Sequence, residues 1–236
     1  MKKTAAYMPA DLNRLERETG MIMATVDSFS DAELAAPSLA EGWTRADVVA
    51  HLVGNARALN RLIDWAVTGN KQAMYESKEA RDAEIAELAA LPTAELKRAL
   101  HGANADFAKA ADQLRAGKLA VEEVEMGAGP VNPYLLPAYR ISEIIVHHHD
   151  LDTIWDIDEA DIDALEDALE LAVMRIQKRD DYPGLQIETD EGESYTVGSG
   201  GPTLKGGRDA VLGWITRGTT DGLRVDGELP ERPDFA

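Results

Sequence analysis

Residues 140–151 read RISEIIVHHHDL, an apolar stretch that carries several ionisable side chains. Pro137 stands just before it, and proline suits the first turn of a helix, where backbone N–H groups have no helical partner. Glu143 and His147 are four residues apart, so on a helix they lie one turn from each other and roughly 40° apart around the axis. The apolar neighbours predict burial, and a buried carboxylate needs a partner or a metal. We therefore expect a core helix from Pro137 to about Trp155.

Three further long amphipathic stretches precede this helix. They cover residues 10–28, 44–68 and 93–115, and a shorter helix is predicted over 77–90. The second long stretch begins at Thr44, with Asp47 three residues later in a capping-box pattern, and Gly69 ends it. Residues 127–133 contain two glycines and two prolines and are expected to form an irregular loop. Four long helices joined by loops indicate a helical bundle.

The pattern changes after residue 156. One more helix is predicted over 161–179, followed by alternating, strand-like segments at 185–189 and 195–198 with a turn at 190–193. A helix over 208–216 and a last strand over 223–226 complete the chain. The fold class is therefore α+β, with a metal-binding helical bundle at 1–157 and a small α/β domain at 158–236.

Composition excludes several classes of function. The 236 residues carry a net charge of −19, which argues against binding to nucleic acid or to anionic lipid. No apolar run is long enough for a membrane span, and no apolar stretch follows Lys3, so a cytoplasmic location is expected. The chain has no cysteine. Any metal must be held by His, Asp, Glu or backbone oxygen, and any thiol chemistry must use a thiol from outside.

His51 is the second half of the metal hypothesis. It lies within the apolar pattern of the second long helix, near the expected bundle interior. With Glu143 and His147 it makes a His₂Glu set, which leaves a coordination position open, as catalytic zinc sites do. The alternatives are a satisfied core histidine and a simple Glu–His pair on one helix. Asp150 either orients a ligand histidine or is a solvated carboxylate at a helix end.

Several segments together resemble the mycothiol-dependent maleylpyruvate isomerases of the DinB-like metalloenzyme superfamily. The first is Glu41-Gly42-Trp43-Thr44-Arg45 with His51 and Asn55, and the second is the spacing of Arg140, Glu143, His147 and Asp150. The third is Met74-Tyr75 with Ser77, Glu79, Ala80, Arg81, Glu84 and Ile85. The last lies at the C-terminal end, in Arg217-Gly218, Asp221-Gly222 and Gly227-Glu228-Leu229-Pro230.

This resemblance implies an N-terminal four-helix bundle of the DinB-like type with a smaller C-terminal α/β domain. It implies a divalent metal, zinc by preference, on His51, Glu143 and His147, and mycothiol as the cofactor thiol. The implied reaction is the cis–trans isomerisation of maleylpyruvate to fumarylpyruvate in gentisate degradation. Arg217 matches the second-domain arginine on which activity in the family depends. The run of three histidines at 147–149 departs from the family's commoner single histidine.

A thiolate that adds to a double bond turns it into a single bond that can rotate, which is nucleophilic catalysis with a borrowed nucleophile. The metal can activate either the thiol or the substrate's keto oxygen. The substrate is a dicarboxylate, and Arg217 is the first candidate to bind a carboxylate, although an arginine at a helix C-terminus also suits the helix dipole. Arg140 and Arg81 are weaker candidates that can instead pair with nearby acidic residues.

Two other functions remain open on sequence grounds. The first is a thiol S-transferase or hydrolase of the same superfamily, with the same metal and a different pocket. The second is a non-enzyme, either a metal-dependent sensor or a structural bundle.

Overall fold

The computed structural model describes residues 2–127 and 129–232. The chain divides into two compact units, a helical one over Lys2–Trp155 and a second that begins at Asp156. The fold is mixed α+β, with long helices in the first unit and a four-stranded sheet in the second. The predicted boundary between residues 157 and 158 lies two residues beyond this division.

In the residues that the structure describes, the helical unit contains six α-helices and a short hairpin. They are α1 Met8–Ser28, α2 Asp31–Leu34, α3 Arg45–Thr68, α4 Lys78–Ala89, α5 Thr93–Asp112, α6 Leu136–Asp150, and the antiparallel strands β1 Val124–Met126 and β2 Gly129–Val131. β2 lies within residues 127–133, for which an irregular loop was predicted, because its three residues pair with β1. α6 ends at Asp150, earlier than the predicted Trp155, because Asp152 adopts a left-handed conformation with φ of 52° that cannot continue the helix.

Helix packing buries most of α3. This helix packs against α4, α5 and α6, while α1 packs against α5 and α6. Residues 48–56 of α3 are all buried, and so are Ile141, Ile144 and Ile145 of α6. Any polar side chain on the contact between α3 and α6 must find its partners inside the protein.

No helix in the described ranges is both long enough and apolar enough to cross a membrane.

The start of α3 is fixed by the capping box that the sequence predicted. The Thr44 hydroxyl accepts a hydrogen bond from the backbone N–H of Asp47 at 3.2 Å, and the Asp47 carboxylate accepts one from the backbone N–H of Thr44 at 2.8 Å. Gly69 ends the helix with φ of 81°, a conformation that glycine adopts without strain. Both ends of the helix that carries His51 are therefore set by local sequence.

The second unit combines two helices with one sheet. Its elements are α7 Ile162–Gln177, β3 Leu185–Thr189, β4 Ser194–Val197, β5 Thr203–Gly206, α8 Arg208–Arg217 and β6 Arg224–Asp226. The strand order is β4-β3-β5-β6, with β3 and β5 parallel and the other neighbours antiparallel. The predicted strands and helices are present, but β5 was not predicted, because its four residues become a strand only through pairing with β3 and β6.

We expect Thr44→Ala to lower the free energy of unfolding of the helical unit by about 1 kcal/mol, because the Asp47 N–H loses its acceptor at the start of α3. Urea denaturation followed by circular dichroism measures this change. Thr44→Ser keeps a hydroxyl at the same place and should retain most of the stability. Equal midpoints for the alanine and serine variants would contradict the role assigned to the cap.

Candidate metal centre

Two helices that pack against each other bring His51, Glu143 and His147 together. His51 lies in the second turn of α3, while Glu143 and His147 lie one turn apart on α6. The Nε2 atom of His51 is 2.9 Å from Oε2 of Glu143, and Nε2 of His147 is 3.7 Å from the same oxygen. One donor atom from each side chain lies within 4.8 Å of the others, so the three can hold one metal ion. This is the set for which the sequence predicted a metal.

The cluster is buried on one side and open on the other. The exposed fractions of the side chains are 7% for His51, 14% for His147 and 30% for Glu143. Within residues 2–127 and 129–232 no fourth His, Asp or Glu joins the group. Two imidazoles and one carboxylate with a side open to solvent form the donor set of a zinc site that can accept a further ligand. The residues present therefore fit a divalent metal.

Asp150 orients the His147 ring. Its carboxylate is fully buried and accepts a hydrogen bond from Nδ1 of His147 at 2.7 Å. Because a carboxylate only accepts, Nδ1 carries the hydrogen, and the lone pair of Nε2 is left for the cluster. Of the two sequence interpretations of Asp150, the solvated helix-end carboxylate is excluded by this burial.

His51 has the neutral charge that a metal ligand requires. The pKa of His51 is lowered to about 4, mainly by burial and secondly by the neighbouring His147. The ring is therefore neutral at neutral pH. Trp43 lies beside both imidazoles, with ring centroids 5.5 Å from His51 and 6.3 Å from His147. Its indole covers the rings with apolar surface.

The other two histidines of the run do not belong to the cluster. Nε2 of His148 lies 2.8 Å from the hydroxyl of Thr25, and its ring stacks on Trp155 with centroids 3.9 Å apart. Burial lowers the pKa of His148 to about 4. His149 is half-buried and lies outside the group of three donors. The helix period thus separates His147 from its neighbours, as the sequence predicted.

Arg140 is fully buried and bonded to two amides. It donates to Oδ1 of Asn55 and to Oδ1 of Asn104, both at 2.7 Å. Burial lowers its pKa to about 10. The sequence left open that Arg140 pairs with a nearby acidic side chain. Its hydrogen-bond partners are instead the side-chain amides of Asn55 on α3 and Asn104 on α5. Arg140 connects three helices and does not face solvent.

Arg217 is the last residue of α8, in the second unit. Its Nη1 donates to the backbone oxygen of Thr216 at 2.7 Å. Gly218, with φ of 77°, ends the helix directly after it. Its assignment as the activity-determining arginine stays a prediction.

The loop after α3 contributes Tyr75, whose place the residue pattern did not predict. Arg61 holds this loop, because its guanidinium donates to the backbone oxygens of Ala73 and Met74 and lies 5.8 Å from the Tyr75 ring centroid. The pKa of Tyr75 is raised to about 12, mainly by burial and secondly by the negative charge of Glu143. The hydroxyl therefore stays protonated near the cluster. The one sequence feature that pointed to this position is that Tyr75 is an aromatic residue in the polar segment between α3 and α4.

Comparisons with known proteins agree with one another. A family model described as the mycothiol maleylpyruvate isomerase N-terminal domain matches residues 15–152. Two solved structures, of the mycothiol-dependent maleylpyruvate isomerase and of a variant with one histidine changed to alanine, are each 24% identical to this chain. Each comparison covers 98% of this chain and 99% of the other, with a TM-score of 0.86, which shows a common fold. No curated protein matches in a sequence search.

Elemental analysis of purified protein tests the cluster. We expect the wild-type chain to retain a divalent metal, and His51→Ala and His147→Ala each to lose it, because two remaining donors bind too weakly. His101→Ala is the matched control, since His101 is an exposed histidine that bonds to Asp27. Full metal occupancy in His51→Ala would contradict the assignment.

Asp150→Asn should weaken metal affinity by about 10- to 100-fold, because an amide holds the Nδ1–H of His147 less firmly than a carboxylate does. Competition with a chelator of known affinity measures the change. Asp152→Asn serves as the control, because Asp152 is exposed and lies two residues further along. An unchanged metal affinity in Asp150→Asn would show that Asp150 does not support metal binding.

Proposed function

The chain belongs to the family defined by the mycothiol maleylpyruvate isomerase N-terminal domain, because residues 15–152, more than half of the chain, match that family model, and we propose that it catalyses the mycothiol-dependent cis–trans isomerisation of maleylpyruvate to fumarylpyruvate. The observation that carries this proposal is the open His51–Glu143–His147 cluster within the matched region. The absence of cysteine fits an enzyme that borrows its thiol. A role in gentisate degradation is proposed from the family resemblance, and a cytoplasmic location from the sequence.

The proposed chemistry needs no net change in atoms or charge. The thiolate of mycothiol adds to one carbon of the cis double bond, so that a carbon–sulfur bond forms and the π electron pair moves onto the conjugated keto oxygen. The remaining carbon–carbon single bond then rotates. The electron pair returns, the carbon–sulfur bond breaks, and the thiolate leaves behind the trans double bond.

Each residue of the site has a distinct task in this scheme. His51, Glu143 and His147 would hold the divalent metal, and zinc is the expected ion for two imidazoles and a carboxylate. When bound, such an ion supplies positive charge that lowers the pKa of a thiol or stabilises a developing oxyanion. Asp150 fixes the tautomer of His147. Trp43 shields the two imidazoles from water.

The proposal also includes the finer architecture. We infer that α1, α3, α5 and α6 form the four-helix bundle of the DinB-like superfamily. The pairwise packing of α3 with α5 and α6, and of α1 with the same two helices, supports this arrangement. The second unit would be the smaller α/β domain, and Arg217 would bind a carboxylate of the substrate.

The loss of maleylpyruvate absorbance, followed with and without mycothiol, tests the function. We expect turnover by the metal-loaded protein only when the thiol is present. Arg217→Ala should lower kcat/KM by about 10- to 100-fold, as expected for the loss of a charged hydrogen bond, and should keep its metal. Arg224→Ala is the control, because Arg224 is exposed in the same unit and pairs with Asp190.

Two results would contradict this function. Turnover without mycothiol would remove the thiol from the mechanism. Metal binding without any thiol-dependent turnover would favour the alternative, a thiol S-transferase or hydrolase that uses the same metal site on another substrate.

A further inference from the structure

Arg81 lies beside the metal cluster although it is distant from its members in sequence. It belongs to α4, which packs on α3, and its Nη2 atom is 3.5 Å from Nδ1 of His51. The other nitrogen of that ring, Nε2, faces Glu143 at 2.9 Å. The two nitrogens of an imidazole point in nearly opposite directions, so the guanidinium lies on the other side of the His51 ring from Glu143, separated from the metal position by that ring.

The interactions that hold the Arg81 guanidinium are weak. Its carboxylate partner is Asp82, the next residue, at 3.0 Å, and not Glu84 or Glu76 as the sequence suggested. Asp82 is half exposed, and such a surface pair contributes only about 0–1 kcal/mol. Glu84 is instead bonded to Arg57 at 3.1 Å. A stronger anionic partner can therefore take the guanidinium at small cost.

Accessibility separates Arg81 from Arg140. Arg140 is completely buried, so it cannot touch a ligand. The Arg81 side chain is 30% exposed, the same fraction as that of Glu143. An accessible positive charge beside the cluster matters because a chain with a net charge of −19 otherwise repels a dianion.

We infer that Arg81 binds one carboxylate of the dicarboxylate substrate beside the His51–Glu143–His147 cluster, while the rest of the substrate reaches past the His51 ring to the metal position, an inference that rests on the proposed function. The planar guanidinium offers two parallel N–H groups, which match the two oxygens of a carboxylate. The thiolate sulfur is the other anion of the reaction, and it offers no such pair of acceptors. Arg81 thus acts in substrate binding from within the helical unit.

Three variants of the metal-loaded protein test this inference. Arg81→Ala removes the guanidinium, and Arg81→Lys keeps the charge without the planar fork. Arg98→Ala is the matched control, because Arg98 is also a helix arginine that lies near a neighbouring carboxylate, Glu95, and its loss changes the net charge equally. Metal content and the unfolding midpoint, measured first, should match those of the wild-type protein in all three variants.

Calorimetric titration with maleate, a stable dicarboxylate, provides a readout that needs no turnover. We expect Arg81→Ala to raise the Kd for maleate by about 10- to 100-fold, as for the loss of a charge-assisted hydrogen bond. Arg81→Lys should give an intermediate Kd, and Arg98→Ala should bind as the wild-type protein does. The KM for maleylpyruvate should rise in the same order, while the KM for mycothiol stays within about twofold, since a thiol loses no contact.

Equal maleate affinity in the wild-type protein and Arg81→Ala would overturn the inference. A rise confined to the KM for mycothiol would do so too, because it would assign the guanidinium to the thiolate. Maleate binding that depends on Arg81, in a protein that does not turn over maleylpyruvate, would support the anion site and reject the proposed reaction. The two claims therefore fail separately.

Discussion

Polar side chains buried between α3 and α6 must be satisfied from within the protein, and the helical unit is organised around this constraint. Arg140 lies there with no exposed surface and bonds to Asn55 on α3 and Asn104 on α5. Removing either amide would leave a buried charge short of a partner, which costs several times more than an exposed hydrogen bond contributes. Three helices are thereby fixed in register, and that register brings His51 opposite Glu143.

Stability and function therefore depend on the same helix contact. The burial that holds His51 also keeps its ring neutral, as a metal ligand must be. Asp150 occupies the last turn of α6 and directs His147 toward the cluster. Arg81 approaches His51 from outside this contact, on α4.

Local rules account for the parts of the site that the sequence predicted. The spacing of Glu143 and His147 follows the helix period, and Thr44 with Asp47 marks the start of α3. The parts that the sequence missed depend on distant residues. β5 becomes a strand through pairing with β3, and Arg81 reaches His51 only because α4 folds back on α3. The choice between the two interpretations of Asp150 required its burial, which no spacing reveals.

The position of Trp43 has an optical consequence. Its indole lies beside both imidazoles of the cluster, at 5.5 Å and 6.3 Å between ring centroids. Indole emission responds to the charge and polarity of its surroundings, and an ion held by His51 and His147 changes both. One of the chain's four tryptophans therefore lies beside the cluster, and metal uptake changes the surroundings of that indole without any attached label.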